Sequence, residues 1–188
     1  MKDKIKIVAI SGSLRPNSSN TNILRLVASM VPANVELIFY EGLGGLPHFN
    51  PVLDDENSSE PVRQFRHLLA LSDGVIICTP EYAFGVPGSL KNALDWTVSS
   101  GEFVNKPVAL ITASLSGEKA HASLLETFTA LSAKIEKGST LLIPFIRSKI
   151  NEKGEVTDPG VHVSLQALIH YFIAGIGKQQ IDDAGLRP

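Results

Sequence analysis

The sequence predicts an α/β fold, a five-stranded parallel sheet sandwiched between helices on both faces. Three observations carry that prediction. Apolar runs rich in β-branched residues recur at 5–10, 35–40, 75–79, 107–112 and 140–143. Segments with apolar residues at i, i+3 and i+4 separate these runs, and strands that alternate with helices pair in parallel. The runs are apolar nearly throughout rather than alternating, the pattern of strands covered on both faces.

The chain has 188 residues, enough for one domain with a sizeable core. No composition shift, repeat or low-complexity tract divides it, so residues 1–188 read as a single domain with a frayed polar tail at 179–188. Apolar residues make up 44% and charged residues 19%, as in folded globular proteins. A net charge of −2 without runs of Lys or Arg argues against general nucleic-acid or polybasic membrane binding. The single cysteine, Cys78, excludes an internal disulfide and suits a reducing compartment. No stretch reads as a membrane span of roughly 20 apolar residues. A cytoplasmic protein is the resulting expectation.

In order, the strand at 5–10 leads into a polar loop and a helix carrying Ile23, Leu26, Val27 and Met30, which Pro32 ends. After the strand at 35–40 comes the longest irregular segment, rich in Gly, Pro and acidic residues, up to Glu60. Pro61 suits a helix start, and Val62, Phe65, Leu68 and Leu69 form that helix's apolar face. Pro80 stops the strand at 75–79, and the helix after it carries Leu90, Ala93, Leu94 and Trp96. The next helix shows Leu124, Phe128, Leu131 and Ile135 in register, and residues 145–150 read as extended. A last helix buries Leu165, Leu168, Ile169 and Phe172 and ends near Gly177.

Three loops after strands have unusual chemistry: 11–22, 80–89 and 113–117. The first offers Ser11, Ser13, Ser18, Asn20 and Thr21 together with Arg15. Hydroxyls, amides, backbone N–H groups and a guanidinium between a strand end and a helix N-terminus can cradle a phosphate. A polar surface turn with an N-cap is the alternative for that loop alone. In the strand order 2-1-3-4-5 the three parent strands are neighbours, so their loops meet at one sheet edge, where open α/β sheets bind ligands.

Gly12-Ser13-Leu14-Arg15, with Ser18 and Asn20, resembles the phosphate loop of the NADPH-dependent FMN reductases. The run from Pro80 to Trp96, Pro-Glu-Tyr-Ala-Phe-Gly-Val-Pro-Gly-Ser-Leu-Lys-Asn-Ala-Leu-Asp-Trp, is similar to their second signature. The resemblance spans residues 4–175. It implies a flavodoxin-like three-layer sandwich, a related quinone, azo or chromate reductase activity, bound FMN, NADPH or NADH as transient hydride donor, and a homodimer or homotetramer with the flavin near the interface. It also implies FMN contacts from Ser11, Ser13, Arg15, Ser18, Asn20 and Thr21 at the phosphate. Contacts from Pro80, Glu81, Tyr82, Ala83, Phe84, Ser114, Ser116 and Gly117 are implied along the ring. Arg15 either pairs with the phosphate or packs on the flavin. Many members carry a Gly-Gly pair in the loop at 112–117, where this chain has the one Gly117 followed by Glu118 and Lys119, so that loop departs from the pattern.

The implied reaction is hydride transfer from NAD(P)H through FMN to a small acceptor (flavin, quinone, azo compound or metal oxyanion) by a ping-pong mechanism. In that reaction no side chain need act as an acid or base, because the cofactor carries the chemistry. A flavodoxin-like electron carrier and a non-catalytic flavin-binding protein are the alternatives. Glu81 reads better as a structural hydrogen-bond partner than as a catalytic acid, and Cys78 as an inert core thiol. Gly85 and Gly88 are candidates for close approach or positive φ. Lys91, Asn92, Asp95 and Trp96 read as packing or interface residues. The five histidines lack metal-ligand spacing. Residues 46–51, with His48, resemble a family loop that approaches a flavin pocket across the interface, while a surface-loop histidine is the favoured reading. A GxGxxG after the first strand and a Walker lysine are both missing, which disfavours dinucleotide binding of the Rossmann type and P-loop chemistry.

Overall fold

Each apolar run forms a strand, and every strand is parallel to its neighbours. The computed structural model describes residues 4–55 and 58–185. Strands β1 (Ile5–Ser11), β2 (Val35–Tyr40), β3 (Gly74–Thr79), β4 (Val108–Ala113) and β5 (Thr140–Ile143) pair in the order β2-β1-β3-β4-β5. This is the flavodoxin-like architecture expected from the sequence. The helices between them are α1 (Ser19–Met30), α2 (Glu60–Ala70), α3 (Gly88–Asp95), α4 (Glu118–Ala130) and α5 (Pro159–Gly185).

Alternate residues of each central strand serve opposite cores. Ile7 and Ala9 of β1, Ile76 and Cys78 of β3, and Ala109 and Ile111 of β4 meet Ile23, Leu24 and Val27 of α1 and Leu165, Leu168 and Phe172 of α5. Val8, Ile10, Val75, Ile77, Val108 and Leu110 face the other way, onto Phe65 and Leu69 of α2, Leu90 and Leu94 of α3, and Leu124 and Phe128 of α4. Burying one such aliphatic or aromatic side chain contributes roughly 1.5–3 kcal/mol. The sheet is therefore held from both sides, and the loops at its C-terminal edge spring from a rigid base.

Four expectations need correction. Leu131 and Ile135 lie beyond the end of α4, because Ser132 takes a left-handed φ of 56° and turns the chain. Residues 145–150 are not extended: Phe145 is left-handed (φ 53°, ψ 40°) and Ile146–Lys149 forms a 3-10 turn. Helix α5 continues past Gly177 to Gly185, so the backbone of 179–185 is helical, while 186–188 lie outside the described residues. Within α5, Pro159–Gln179 is long and apolar enough to cross a membrane by length and composition. Its Leu165, Leu168, Ile169, Phe172 and Ile176 form a buried face packed against the sheet, although only a third of that span is buried overall.

The long segment after β2 is tied down by the second signature. The Asn92 side chain donates from Nδ2 to the Pro47 carbonyl (2.9 Å) and accepts the Phe49 N–H (2.7 Å). Trp96 Nε1 also donates to the Pro47 carbonyl (2.8 Å), and the Phe49 ring meets the Trp96 ring edge-on at 5.1 Å. Further along, Arg66 pairs with Asp54 and donates to the Trp96 carbonyl. Burial pushes the Asp54 carboxyl up, but hydrogen bonds from Arg66 and Ser99 outweigh it and hold the group below its ordinary range. Lys91 pairs with Asp95 one turn on. Asn92 and Trp96 thus fasten a loop, and His48 on that loop is exposed.

Candidate active site at the sheet edge

The loop after β1 is fixed by its own polar groups. Ser18 is the N-cap of α1, its hydroxyl accepting the Thr21 N–H at 3.1 Å. The Thr21 hydroxyl donates to Ser11 Oγ (3.0 Å), which also accepts the Ser13 N–H (3.4 Å). Arg15 N–H donates to Ser13 Oγ at 3.3 Å. Asn20 is 4% exposed, and its Oδ1 accepts the Cys78 S–H at 3.2 Å. This leaves the amide's donor end for the cavity that Asn20 lines. Burial pushes the Cys78 thiol well up, so it stays protonated and packs as a core residue, as expected.

After β3, residues 82–85 close a two-residue turn. Tyr82 N–H donates to the Gly85 carbonyl (3.0 Å) and Gly85 N–H to the Tyr82 carbonyl (2.9 Å). Its central residues, Ala83 (φ 49°) and Phe84 (φ 59°), are both left-handed. Gly85 and Gly88, the candidates for close approach or positive φ, take neither: their φ is not positive, and an added Cβ would meet the Tyr82 carbonyl at 3.6 Å from Gly85 and nothing within 4 Å from Gly88. Non-glycine residues in this region are strained, and such strain clusters at functional sites.

Glu81 reaches across to the next loop. Its carboxylate accepts the Ser116 hydroxyl (2.8 Å) and the N–H groups of Gly117 (3.3 Å) and Ala120 (2.9 Å). Desolvation pushes its carboxyl up, but these bonds, led by Ala120, prevail and hold it below the ordinary glutamate value. The acid is therefore an ionised cap on α4, in keeping with the structural role expected for it. Glu81 N–H donates to Ser114 Oγ (3.1 Å), a second tie between the same two loops. Behind them, Thr112 Oγ1 meets His121 Nδ1 at 2.9 Å, and burial pushes the imidazole's pKa down.

The turn after β5 completes the edge. Phe145 N–H donates to the Leu115 carbonyl and Ile146 N–H to the Ser114 carbonyl, both at 3.1 Å. Ile146 is buried beneath, while Arg147 and Ser148 stand exposed.

These four loops surround a cavity of about 620 Å³, within the size range of small-molecule and cofactor sites. Ser13, Arg15, Ser18 and Asn20 line it from the β1 loop, Pro80, Glu81 and Tyr82 from the β3 loop, and Ser114 and Leu115 from the β4 loop. Ser11 and Thr21 line a neighbouring cavity on the far side of the β1 loop, their hydroxyls spent on each other. Ala83 and Phe84 project from their turn outside the lining, and Ser116 and Gly117 are turned to Glu81. The sequence reading missed Phe145, Ile146, Arg147 and Ser148. The signal available for them was Pro144 ending a strand, with an arginine three residues on. Among the described residues no three His, Cys, Asp or Glu side chains cluster as metal ligands would.

The sheet order, with hydroxyl-, amide- and arginine-bearing loops around one cavity at its carboxyl edge, defines a flavodoxin-like protein built to hold a phosphorylated cofactor. The model of the NADPH-dependent FMN reductase family matches residues 5–147. A quinone reductase of Escherichia coli (strain K12) is 30% identical over 167 residues, covering 85% of this chain and 89% of that protein. A 2-hydroxy-1,4-benzoquinone reductase of a Burkholderia species is 30% identical over 183 residues, covering 94% and 99%. Among solved structures, FerB of Paracoccus denitrificans, a flavoenzyme NAD(P)H:(acceptor) oxidoreductase, superposes with a TM-score of 0.81 at 26% identity, covering 93% of this chain and 98% of that one. The chain belongs to the NADPH-dependent FMN reductase family. It is an oxidoreductase that works with FMN and a reduced nicotinamide dinucleotide.

Proposed function

We propose that the protein passes hydride equivalents from NAD(P)H to a small acceptor, best a quinone, and that both substrates take turns in the 620 Å³ cavity. The observation that carries this reading is the donor set. Ser13, Ser18, Asn20 and Arg15 meet at one end of a cavity where, among the described residues, Glu81 is the one lining carboxylate, and it is already occupied by Ser116, Gly117 and Ala120. A phosphate there finds hydroxyls, an amide and a guanidinium without a competing anion. These residues fit FMN, and they would hold its phosphate. Pro80, Tyr82 and Ser114 would border its ring. When bound, FMN supplies the hydride exchange between nicotinamide and acceptor. The protein's part is to position: Glu81 locks the β3 and β4 loops together, and Ser114 is oriented by the Glu81 N–H. The family acceptors other than quinone (a flavin, an azo compound or a metal oxyanion) are served by the same arrangement, because the cavity selects by access.

The test is steady-state oxidation of NADPH and NADH by the FMN-loaded protein with a quinone. Parallel double-reciprocal lines are expected, and intersecting lines would exclude the ping-pong scheme. Arg15→Ala should weaken FMN binding about tenfold to a hundredfold, the loss of one charge-assisted contact. Unaltered affinity by fluorescence titration would remove Arg15 from the phosphate site.

We also propose a homo-oligomer, with a second subunit covering the cavity rim. Tyr82 (50% exposed), Leu115 (74%) and Phe145 (61%) line the cavity, with Phe84 (76%) on the turn beside Tyr82, and large apolar side chains grouped at a surface support an interaction site. Sedimentation equilibrium should show a dimer or larger, and Phe84→Asp should shift it toward monomer. A wild-type monomer at micromolar concentration would refute this.

A further inference from the structure

We infer that Arg147 is the residue that recognises an anionic group on the substrate entering the flavin cavity. This inference rests on the reading that the cavity holds FMN. Among the described residues three charged side chains line the cavity: Arg15, Glu81 and Arg147. Glu81 is committed to the α4 N-terminus. Arg15 belongs to the β1 loop, whose hydroxyls and amide supply the cradle for the cofactor phosphate. Arg147 comes from a different element, the turn after the edge strand β5. Among the described residues it makes no ion pair or hydrogen bond with a protein acceptor, whereas Lys149, two residues on, is paired with Asp158 at 3.1 Å.

The turn that presents Arg147 is braced. Phe145 is held left-handed by its N–H bond to the Leu115 carbonyl, and Ile146 is pinned by its N–H bond to the Ser114 carbonyl and by burial. The Ser148 hydroxyl closes the turn onto the Phe145 carbonyl (2.8 Å). A guanidinium on a fixed backbone, facing a cavity with no free carboxylate among the described residues, is suited to a phosphate, carboxylate or sulfonate by paired N–H donors. Such an anion can arrive from either exchangeable substrate. It is the 2′-phosphate of NADPH, or an acidic group on the acceptor.

The experiment compares Arg147→Ala and Arg147→Lys with wild type, all loaded with FMN. Calorimetry measures Kd for NADP+ against NAD+, and for 1,4-naphthoquinone-2-sulfonate against 1,4-naphthoquinone. The expected result is that Arg147→Ala weakens at least one anionic ligand about tenfold more than its partner lacking that anion, with partial recovery in Arg147→Lys. A change confined to the NADP+/NAD+ ratio assigns the anion to the 2′-phosphate, and one confined to the quinone pair assigns it to the acceptor. Equal Kd ratios in wild type and both variants would overturn the inference. So would loss of FMN from Arg147→Ala, which would make Arg147 part of the cofactor cradle. Failure of the underlying reading shows separately, as wild-type protein that does not retain FMN before any substitution is made.

Discussion

Glu81→Ala is expected to destabilise the protein by about 3 kcal/mol and to weaken FMN binding, though Glu81 serves no proton. Helix α4 begins at a left-handed Gly117 (φ 94°) that has no side chain to cap it. The anion that a helix N-terminus favours comes instead from a residue 36 positions earlier. Removing it leaves the Ser116 hydroxyl and the N–H groups of Gly117 and Ala120 without their acceptor. Hydrogen bonds to a charged group contribute roughly 1.5–3 kcal/mol each, and bonds sharing one acceptor do not add. The β3 and β4 loops lose a shared anchor at the same time, which is why cofactor affinity should fall with stability. Glu81→Gln should cost less, because its carbonyl oxygen keeps an acceptor while the charge is lost. Its pH dependence gives a second check. The folded-state pKa of Glu81 lies below its unfolded value, so its contribution is complete above the ordinary glutamate range. It is lost as pH falls through the lowered folded value. The stability gap between wild type and Glu81→Gln, measured by urea unfolding, should therefore be constant near neutrality and narrow in acid. Wild-type stability in Glu81→Ala would show that the cap is not used.

What the sequence made legible follows from the range of each interaction. The strands were readable because burial on two faces leaves an unbroken apolar run, as in Val75, Ile76 and Ile77. The start of α1 was readable because Ser18 and Thr21 are close in sequence and their capping bond is local. The role of Glu81 was readable only as a type, since its partners lie 35 to 39 residues on. The two left-handed features were read at the wrong residues or missed. Local preference makes glycine the candidate for positive φ, hence Gly85 and Gly88 beside their other reading as close-approach sites, whereas Ala83, Phe84 and Phe145 carry it. A left-handed L-residue costs roughly 1–2 kcal/mol. That cost is met by bonds to distant or paired backbone, such as Phe145 N–H to the Leu115 carbonyl. No propensity scale contains them. The Arg147 turn was hidden for this reason, and with it one wall of the site.

Gly12→Ala should be the most damaging single substitution in the cradle, costing about 3 kcal/mol or more. Gly12 needs no unusual φ, and its requirement is space. A Cβ built there would lie 2.2 Å from Thr79 Oγ1, 2.7 Å from Thr79 Cβ and 3.1 Å from Leu90 Cδ2. None of these can step aside cheaply. Thr79 is fully buried at the end of β3, its hydroxyl donating to the Pro80 carbonyl at 3.1 Å. Rotating its β-branched side chain only exchanges one heavy atom for another. The backbone cannot retreat either, because Gly12 N–H donates to the Cys78 carbonyl at 2.8 Å, extending the β1 to β3 ladder past Ser11. Strain at Gly12 must therefore displace the loop that follows, moving Ser13 and Arg15 away from the proposed phosphate position. Thermal unfolding of the FMN-free protein should show a lowered midpoint, and FMN titration a further loss of affinity beyond what instability explains. Thr79→Ala in the same chain removes the contact at 2.2 Å but leaves the one at 2.7 Å, so the double variant should recover part of the stability and not all of it. Full recovery would mean that the hydroxyl alone sets the limit. Wild-type behaviour of Gly12→Ala would mean that the β1 and β3 ends are not packed as tightly as the cradle's geometry requires.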